Sequence, residues 1–362
     1  MSDSPSRATS GRAPSRRDFI RNSAAVTATA ITGASAATAC AQATFNVPPK
    51  VRAIAPAAVS SANGLRSVEI AVEKMKAGYP PVDAAVSGVE VVENDPNDTS
   101  VGYGGLPNMD GVVELDSCVM DGRSGLAGAV ASLRNIKNPA QVALKVMRRT
   151  DHVLLVADGA LEFAKLHGFK EENLLTERAR KEWLRWRENH SDRDDYVNPE
   201  ENGDWGKEFI RSTGTIHVGA VNEDGELGGV TTTSGLAFKI PGRVGDSPLI
   251  GCGNYVDGDV GVGDSTGRGE AVIVTNGGHR VVRYMQDGLS PTDACLAALR
   301  DVARFTKTKR LQREDGKPDF QVNFYAVNKA GEVGGAALYP SRYARMTENG
   351  SEIVESAALF ER

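Results

Sequence analysis

The run Gly214-Thr215-Ile216-His217-Val218 places a glycine and a hydroxyl residue at the start of an apolar strand, directly after a polar stretch. If the 214–215 bond is cut, Thr215 carries both a hydroxyl nucleophile and an α-amino group. An ordinary α-amino pKa of about 7.7–8.0 suits a general base near neutral pH, so one residue supplies both halves of a nucleophile–base pair. Glycine at 214 lets the backbone take up the strained geometry that an N-to-O acyl shift requires. A Gly-Thr pair at a strand start is commonplace, and its chemistry depends on partner residues further along the chain.

Three strings supply candidates: Val230-Thr231-Thr232-Thr233-Ser234-Gly235, Gly242-Arg243-Val244-Gly245-Asp246-Ser247-Pro248, and Ser265-Thr266-Gly267. Other chemistries fit less well. The five histidines, His152, His167, His190, His217 and His279, show no short-range pairing of the kind metal ligands adopt. The glycines from Gly261 to Gly267 mimic a phosphate loop but lack its lysine and its strand-to-helix setting. No cofactor is implied.

These strings resemble the glycosylasparaginase (aspartylglucosaminidase) family of N-terminal-nucleophile hydrolases. The resemblance extends to Glu93-Asn94-Asp95-Pro96, Val101-Gly102-Tyr103-Gly104-Gly105, Val119-Met120-Asp121-Gly122 and Asn135-Ile136-Lys137-Asn138-Pro139. It implies that the chain cuts itself between Gly214 and Thr215, and that Thr215 then attacks β-aspartyl amide bonds. Thr233 stands at the threonine that hydrogen-bonds around the nucleophile. Arg243 stands at the residue that grips the substrate α-carboxylate, a task suited to a guanidinium fork, and Asp246 at the partner of the α-ammonium. Thr266 and Gly267 match the oxyanion hole, where a hydroxyl and an amide N–H meet the developing negative oxygen. The implied substrate is a small β-aspartyl amide, N-acetylglucosaminyl-asparagine first and an isoaspartyl dipeptide or free asparagine second. A binding protein that keeps the amino-acid clamp but never cleaves is the reading from a different class.

The chain departs from the family at three points. Gly214 replaces the usual Asp before the nucleophile, as in the related plant-type asparaginases and isoaspartyl peptidases. His217 replaces a Gly, and no Trp precedes Trp183, so an aromatic wall beside the substrate is missing. Residues two apart on a strand share a face. His217 is therefore expected on the side of Thr215, where it would accept a proton during self-cleavage and narrow the pocket against a sugar.

The elements that hold these residues are read from periodicity. Helices are predicted over 65–77, 82–92, 139–149, 159–166 and 290–305, and a half-buried strand over 113–119. Trp183 to Trp186 reads as a docked amphipathic helix before a polar linker that ends near Thr213. Ala220 to Gly229 and Ala326 to Gly335 echo one another as hairpins. Together with the resemblance, this order implies a four-layer αββα sandwich, with dimers as in the family. The net charge of −5 arises from interspersed signs, which argues against a nucleic-acid partner. Residues 1–43 read as a twin-arginine export signal, from Ser15-Arg16-Arg17-Asp18-Phe19-Ile20 and the acid-free stretch to Ala41-Gln42-Ala43. The expected location is periplasmic or secreted, with lipid attachment at Cys40 as an alternative. An α chain from 44 to 214 and a β chain from 215 to 362 would build one fold. Cys118, Cys252 and Cys295 read as small core residues.

Overall fold

The computed structural model describes residues 53, 55–189 and 214–361. The export segment, Cys40, His190 and most of the polar linker lie outside the described residues.

The strands are β1 Ala57–Ser61, β2 Leu115–Asp121, β3 Ala127–Leu133, β4 Leu154–Val156, β5 Ile216–Val221, β6 Leu227–Thr233, β7 Asn254–Asp257, β8 Gly261–Gly267, β9 Val322–Asn328, β10 Val333–Ala337, β11 Arg342–Thr347, β12 Gly350–Glu355 and β13 Ala357–Ala358. The helices are α1 Leu65–Lys76, α2 Pro81–Glu93, α3 Pro139–Arg149, α4 Ala157–Leu166, α5 Glu177–Asn189, α6 Gly269–Thr275, α7 Gly277–Gln286 and α8 Pro291–Phe305. One sheet has eight strands in the order β12-β11-β1-β5-β6-β2-β3-β4; the other has five, β13-β10-β9-β8-β7. Both echoed segments are antiparallel hairpins, β5–β6 and β9–β10.

Each helix forms where its apolar positions recur on one face. Val68, Ala71, Val72 and Met75 of α1 are buried, and so are Val82, Ala85, Val86 and Val89 of α2, which opens with Pro81 at its first turn. With α3 and α4 they cover the outer face of the eight-stranded sheet, meeting Val130, Ile216, Val218 and Val230. The C-terminal helices cover the five-stranded sheet, where Val281, Leu299 and Val302 pack on Phe324 and Ala326. Between the sheets lie Val59, Val221, Leu227, Val262, Tyr325 and Val327. The result is the expected four-layer αββα sandwich.

This layering corrects the expected strand over 113–119. The strand is β2, two residues later, and it is buried on both faces because helices lie on one side and a sheet on the other. Glu114 and Asp116, expected at the solvent face, are fully buried. Asp116 accepts from the Ser132 amide, and Glu114 accepts from Ser132 and Arg134. Cys118, Cys252 and Cys295 are buried free thiols. The tryptophan segment is α5; Trp183 donates to the Met109 carbonyl and Trp186 stacks on Phe238, with ring centroids 4.7 Å apart.

Candidate active site

Thr215 enters β5 at the centre of the larger sheet, between β1 and β6. Alternation along β5 sends Ile216, Val218 and Ala220 to the helix layer and leaves His217, Gly219 and Val221 facing the second sheet. Thr215 has the parity of the second set and lies at the strand end, where the two sheets open. The Ser61 hydroxyl, on neighbouring β1, is 3.0 Å from the Thr215 carbonyl.

The Thr233 hydroxyl, at the end of β6, joins the two sides of the 214–215 bond. Its oxygen is 3.1 Å from Thr215 Oγ1 and 2.9 Å from the Gly214 carbonyl, and it accepts from the Gly235 amide at 2.9 Å. A hydroxyl has one proton. Since a carbonyl can only accept, Thr233 donates to Gly214, and Thr215 donates to Thr233. The carbonyl that would be attacked during self-cleavage is thereby polarised, and the attacking hydroxyl is held beside it. Gly214 is also a packing requirement, because a Cβ there would fall 2.1 Å from both Cβ and Oγ of Ser100.

A small pocket of about 20 Å³ opens onto this bond, lined by Gly214, Thr215, Thr233, Gly235, Leu236, Arg243, Gly245, Asp246, Ser247 and Gly267. A larger cleft of about 350 Å³ near Tyr79, Arg123 and Glu226 holds neither of the threonines, nor Arg243 or Asp246. We take the smaller pocket as the candidate site because Thr215, Thr233, Arg243 and Asp246 converge there. Among the described residues, no group of three or more His, Cys, Asp and Glu side chains converges to hold a metal.

Arg243 and Asp246 line the same pocket without pairing with each other. Arg243 turns its Nε and Nη2 onto Glu270 Oε1, at 2.9 and 2.8 Å. Its Nη1 lies against Gly235 and Gly245, where Cβ atoms would sit 3.4 and 3.1 Å away. Glu270 thus holds one edge of the fork while the remaining donors face the pocket. Asp246 is buried and accepts from Ser265 Oγ at 2.5 Å. Burial pushes its pKa up to about 6, against the opposing pull of the Ser265 hydrogen bond and the Arg243 charge. A ligand ammonium would restore the charge balance that burial denies it.

Gly267 lines the pocket with a φ of +108°, and a Cβ there would strike the Gln321 carbonyl oxygen at 2.3 Å. Thr266 lies just behind it and is 7% exposed. Its Oγ1 is 3.0 Å from Asn323 Nδ2 and 2.8 Å from the Tyr325 hydroxyl. Glu270, Ser100, Ser265, Asn323 and Tyr325 were not legible as site residues, since each meets the site through long-range pairing; Ser265 alone carried a signal, as the neighbour of Thr266.

His217 departs from expectation. It has the parity of Thr215, but one strand repeat of about 6.5–7 Å carries it inward, beneath the pocket. It does not line the pocket, it is fully buried between the sheets, and it stacks on Tyr325 at 4.4 Å. Its Nδ1 approaches Asp264 Oδ2 at 3.2 Å off the hydrogen-bond axis, so the contact is electrostatic rather than an aligned hydrogen bond. It neither narrows the pocket nor reaches the 214–215 bond.

A threonine at the start of a central strand of an αββα sandwich, with a partner hydroxyl, an arginine and a buried aspartate in one pocket, fits an N-terminal-nucleophile amidohydrolase. The chain belongs to the asparaginase family, whose model matches residues 53–311. It is 44% identical over 271 residues, 75% of each chain, to an N(4)-(β-N-acetylglucosaminyl)-L-asparaginase of Elizabethkingia miricola. It is 38% identical over 231 residues to an isoaspartyl peptidase/L-asparaginase of Danio rerio, covering 62% of this chain and 69% of that one. A Mus musculus N(4)-(β-N-acetylglucosaminyl)-L-asparaginase is 35% identical over 247 residues, covering 63% and 71%.

Proposed function

We propose that the protein cuts itself between Gly214 and Thr215 and then hydrolyses the β-aspartyl amide of N-acetylglucosaminyl-asparagine. The observation that carries this reading is the Thr233 hydroxyl, set between the Thr215 hydroxyl and the Gly214 carbonyl. In turnover, the freed α-amino group takes the Thr215 hydroxyl proton as Oγ attacks the substrate side-chain carbonyl. The oxyanion is met by the Thr266 hydroxyl and the Gly267 amide. The leaving nitrogen takes the proton and departs as the amine. Water then cleaves the aspartyl ester, restoring Thr215 and releasing aspartate.

The sugar amide is favoured by the 44% identity to the Elizabethkingia miricola protein. The same reading includes export in folded form through the twin-arginine segment, assembly of 44–214 with 215–362, and homodimers.

The test is twofold. A denaturing gel and intact mass identify a fragment beginning at Thr215; a folded protein that stays one band is a binding protein instead. A turnover panel then compares the glycosylated amide, an isoaspartyl dipeptide and asparagine. A higher kcat/KM on the dipeptide would transfer the assignment to isoaspartyl peptidase.

A further inference from the structure

We propose that Asn323 and Tyr325, with His217 stacked behind the tyrosine, are positioning residues that aim the Thr266 hydroxyl proton at the substrate oxyanion. The inference rests on reading Thr266 as an oxyanion donor.

The argument is one of donors and acceptors. A threonine hydroxyl has one proton and two lone pairs. Asn323 Nδ2 can only donate, and at 3.0 Å it occupies one lone pair of Thr266. The Tyr325 hydroxyl at 2.8 Å could donate or accept. Its hydrogen bond to Thr266 is the one it makes among the described residues. If Thr266 donated to it, the phenolic proton would be left buried without an acceptor, at a cost comparable to a lost hydrogen bond. Burial also pushes the phenol pKa up, so the proton stays on Tyr325. Tyr325 therefore donates and fills the second lone pair. The Thr266 proton is left to the remaining direction, at the end of β8 next to the pocket-lining Gly267.

The register makes this arrangement deliberate. Asn323 and Tyr325 are two apart on β9 and pair with Thr266 and Asp264 of β8, so all four share the inter-sheet face. His217 comes across from β5 and lays its ring on Tyr325, with an interplanar angle of 24°. Asp264, the register partner of Tyr325, lies beside the imidazole, with its Oδ2 3.2 Å from Nδ1. The ring thus blocks Tyr325 from tilting away from Thr266. Where the family resemblance leaves a glycine on β5, this chain has a histidine facing a tyrosine that reaches the oxyanion hole.

The experiment is a double-mutant cycle on the matured enzyme, with self-cleavage first confirmed on a gel. Thr266→Ala is expected to lower kcat by about 10²–10³, as loss of one oxyanion donor does. Tyr325→Phe keeps the stack and removes the hydroxyl; it is expected to lower kcat by about tenfold with KM unchanged. The double variant is expected to equal Thr266→Ala, because the tyrosine acts only through that hydroxyl. A wild-type kcat in Tyr325→Phe, a loss confined to KM, or a full multiplicative loss in the double variant overturns the proposal. A wild-type kcat in Thr266→Ala overturns the oxyanion reading itself. If Tyr325→Phe does not fold, Asn323→Ala enters the same cycle with the same outcomes.

Discussion

The Thr233 hydroxyl lies 2.9 Å from the carbonyl oxygen of Gly214, so the carbonyl that the proposed self-cleavage would attack already carries a hydrogen bond. The same oxygen receives the Thr215 hydroxyl. One side chain therefore touches both the electrophile and the nucleophile of the proposed maturation step.

Thr233→Val keeps the shape and removes this donor. Self-cleavage is expected to slow by about 10²–10³, the range for losing one donor to a developing oxyanion. Thr233→Ser should cleave near the wild-type rate. Timed denaturing gels of freshly folded protein check both.

The clearance between Gly214 and Ser100 bears on the residue before the nucleophile. Since a Cβ at 214 would meet Ser100 at 2.1 Å, Gly214→Asp is expected to destabilise the uncut protein by about 1–3 kcal/mol through overpacking. The added carboxylate should not speed cleavage. Ser100→Gly should recover the stability. Thermal unfolding in a Thr215→Ala background separates this effect from cleavage.

Asp246 affects stability and binding with opposite signs. Its pKa in the fold is about 6, above the ordinary 3.8, so its contribution to stability is fully present below about pH 3.8. That contribution is lost as pH rises through about 6, a change on the order of 3 kcal/mol. Binding of an ammonium needs the ionised form. The affinity of the matured enzyme for L-aspartate is therefore expected to fall about tenfold per pH unit below about pH 6. Calorimetry checks this, and Asp246→Asn should bind weakly with no such slope.

His217→Gly restores the residue expected from the family, yet it empties a site inside the sandwich, while Asp264 keeps the Thr231 hydroxyl. A loss of about 2–5 kcal/mol is expected from the cavity. The ratio of kcat/KM between glycosylated and unglycosylated amides should not change, because His217 does not line the pocket. A shift in that ratio would return His217 to the pocket wall.

Local pattern was enough for much of the architecture. The helices over 65–76, 81–93, 139–149 and 291–305 follow from apolar residues recurring at helical spacing, and the hairpins at 216–233 and 322–337 from strands around Gly-containing turns. Thr215, Thr233, Arg243, Asp246 and Gly267 stand out in the sequence through the family-like strings that hold them, and the fold brings all five to one pocket. Sequence alternation also assigned the correct face to His217. It could not assign depth. Whether a strand position ends at a pocket or inside a core depends on where a second sheet, built from later strands, closes over it. Separation along the chain also hid Asn323, Tyr325, Ser100 and Glu270, which meet the site through register and close approach between β8 and β9, between Ser100 and Gly214, and between α6 and Arg243. Such contacts leave no periodic trace in the chain, because they are set by burial and packing after the elements have formed.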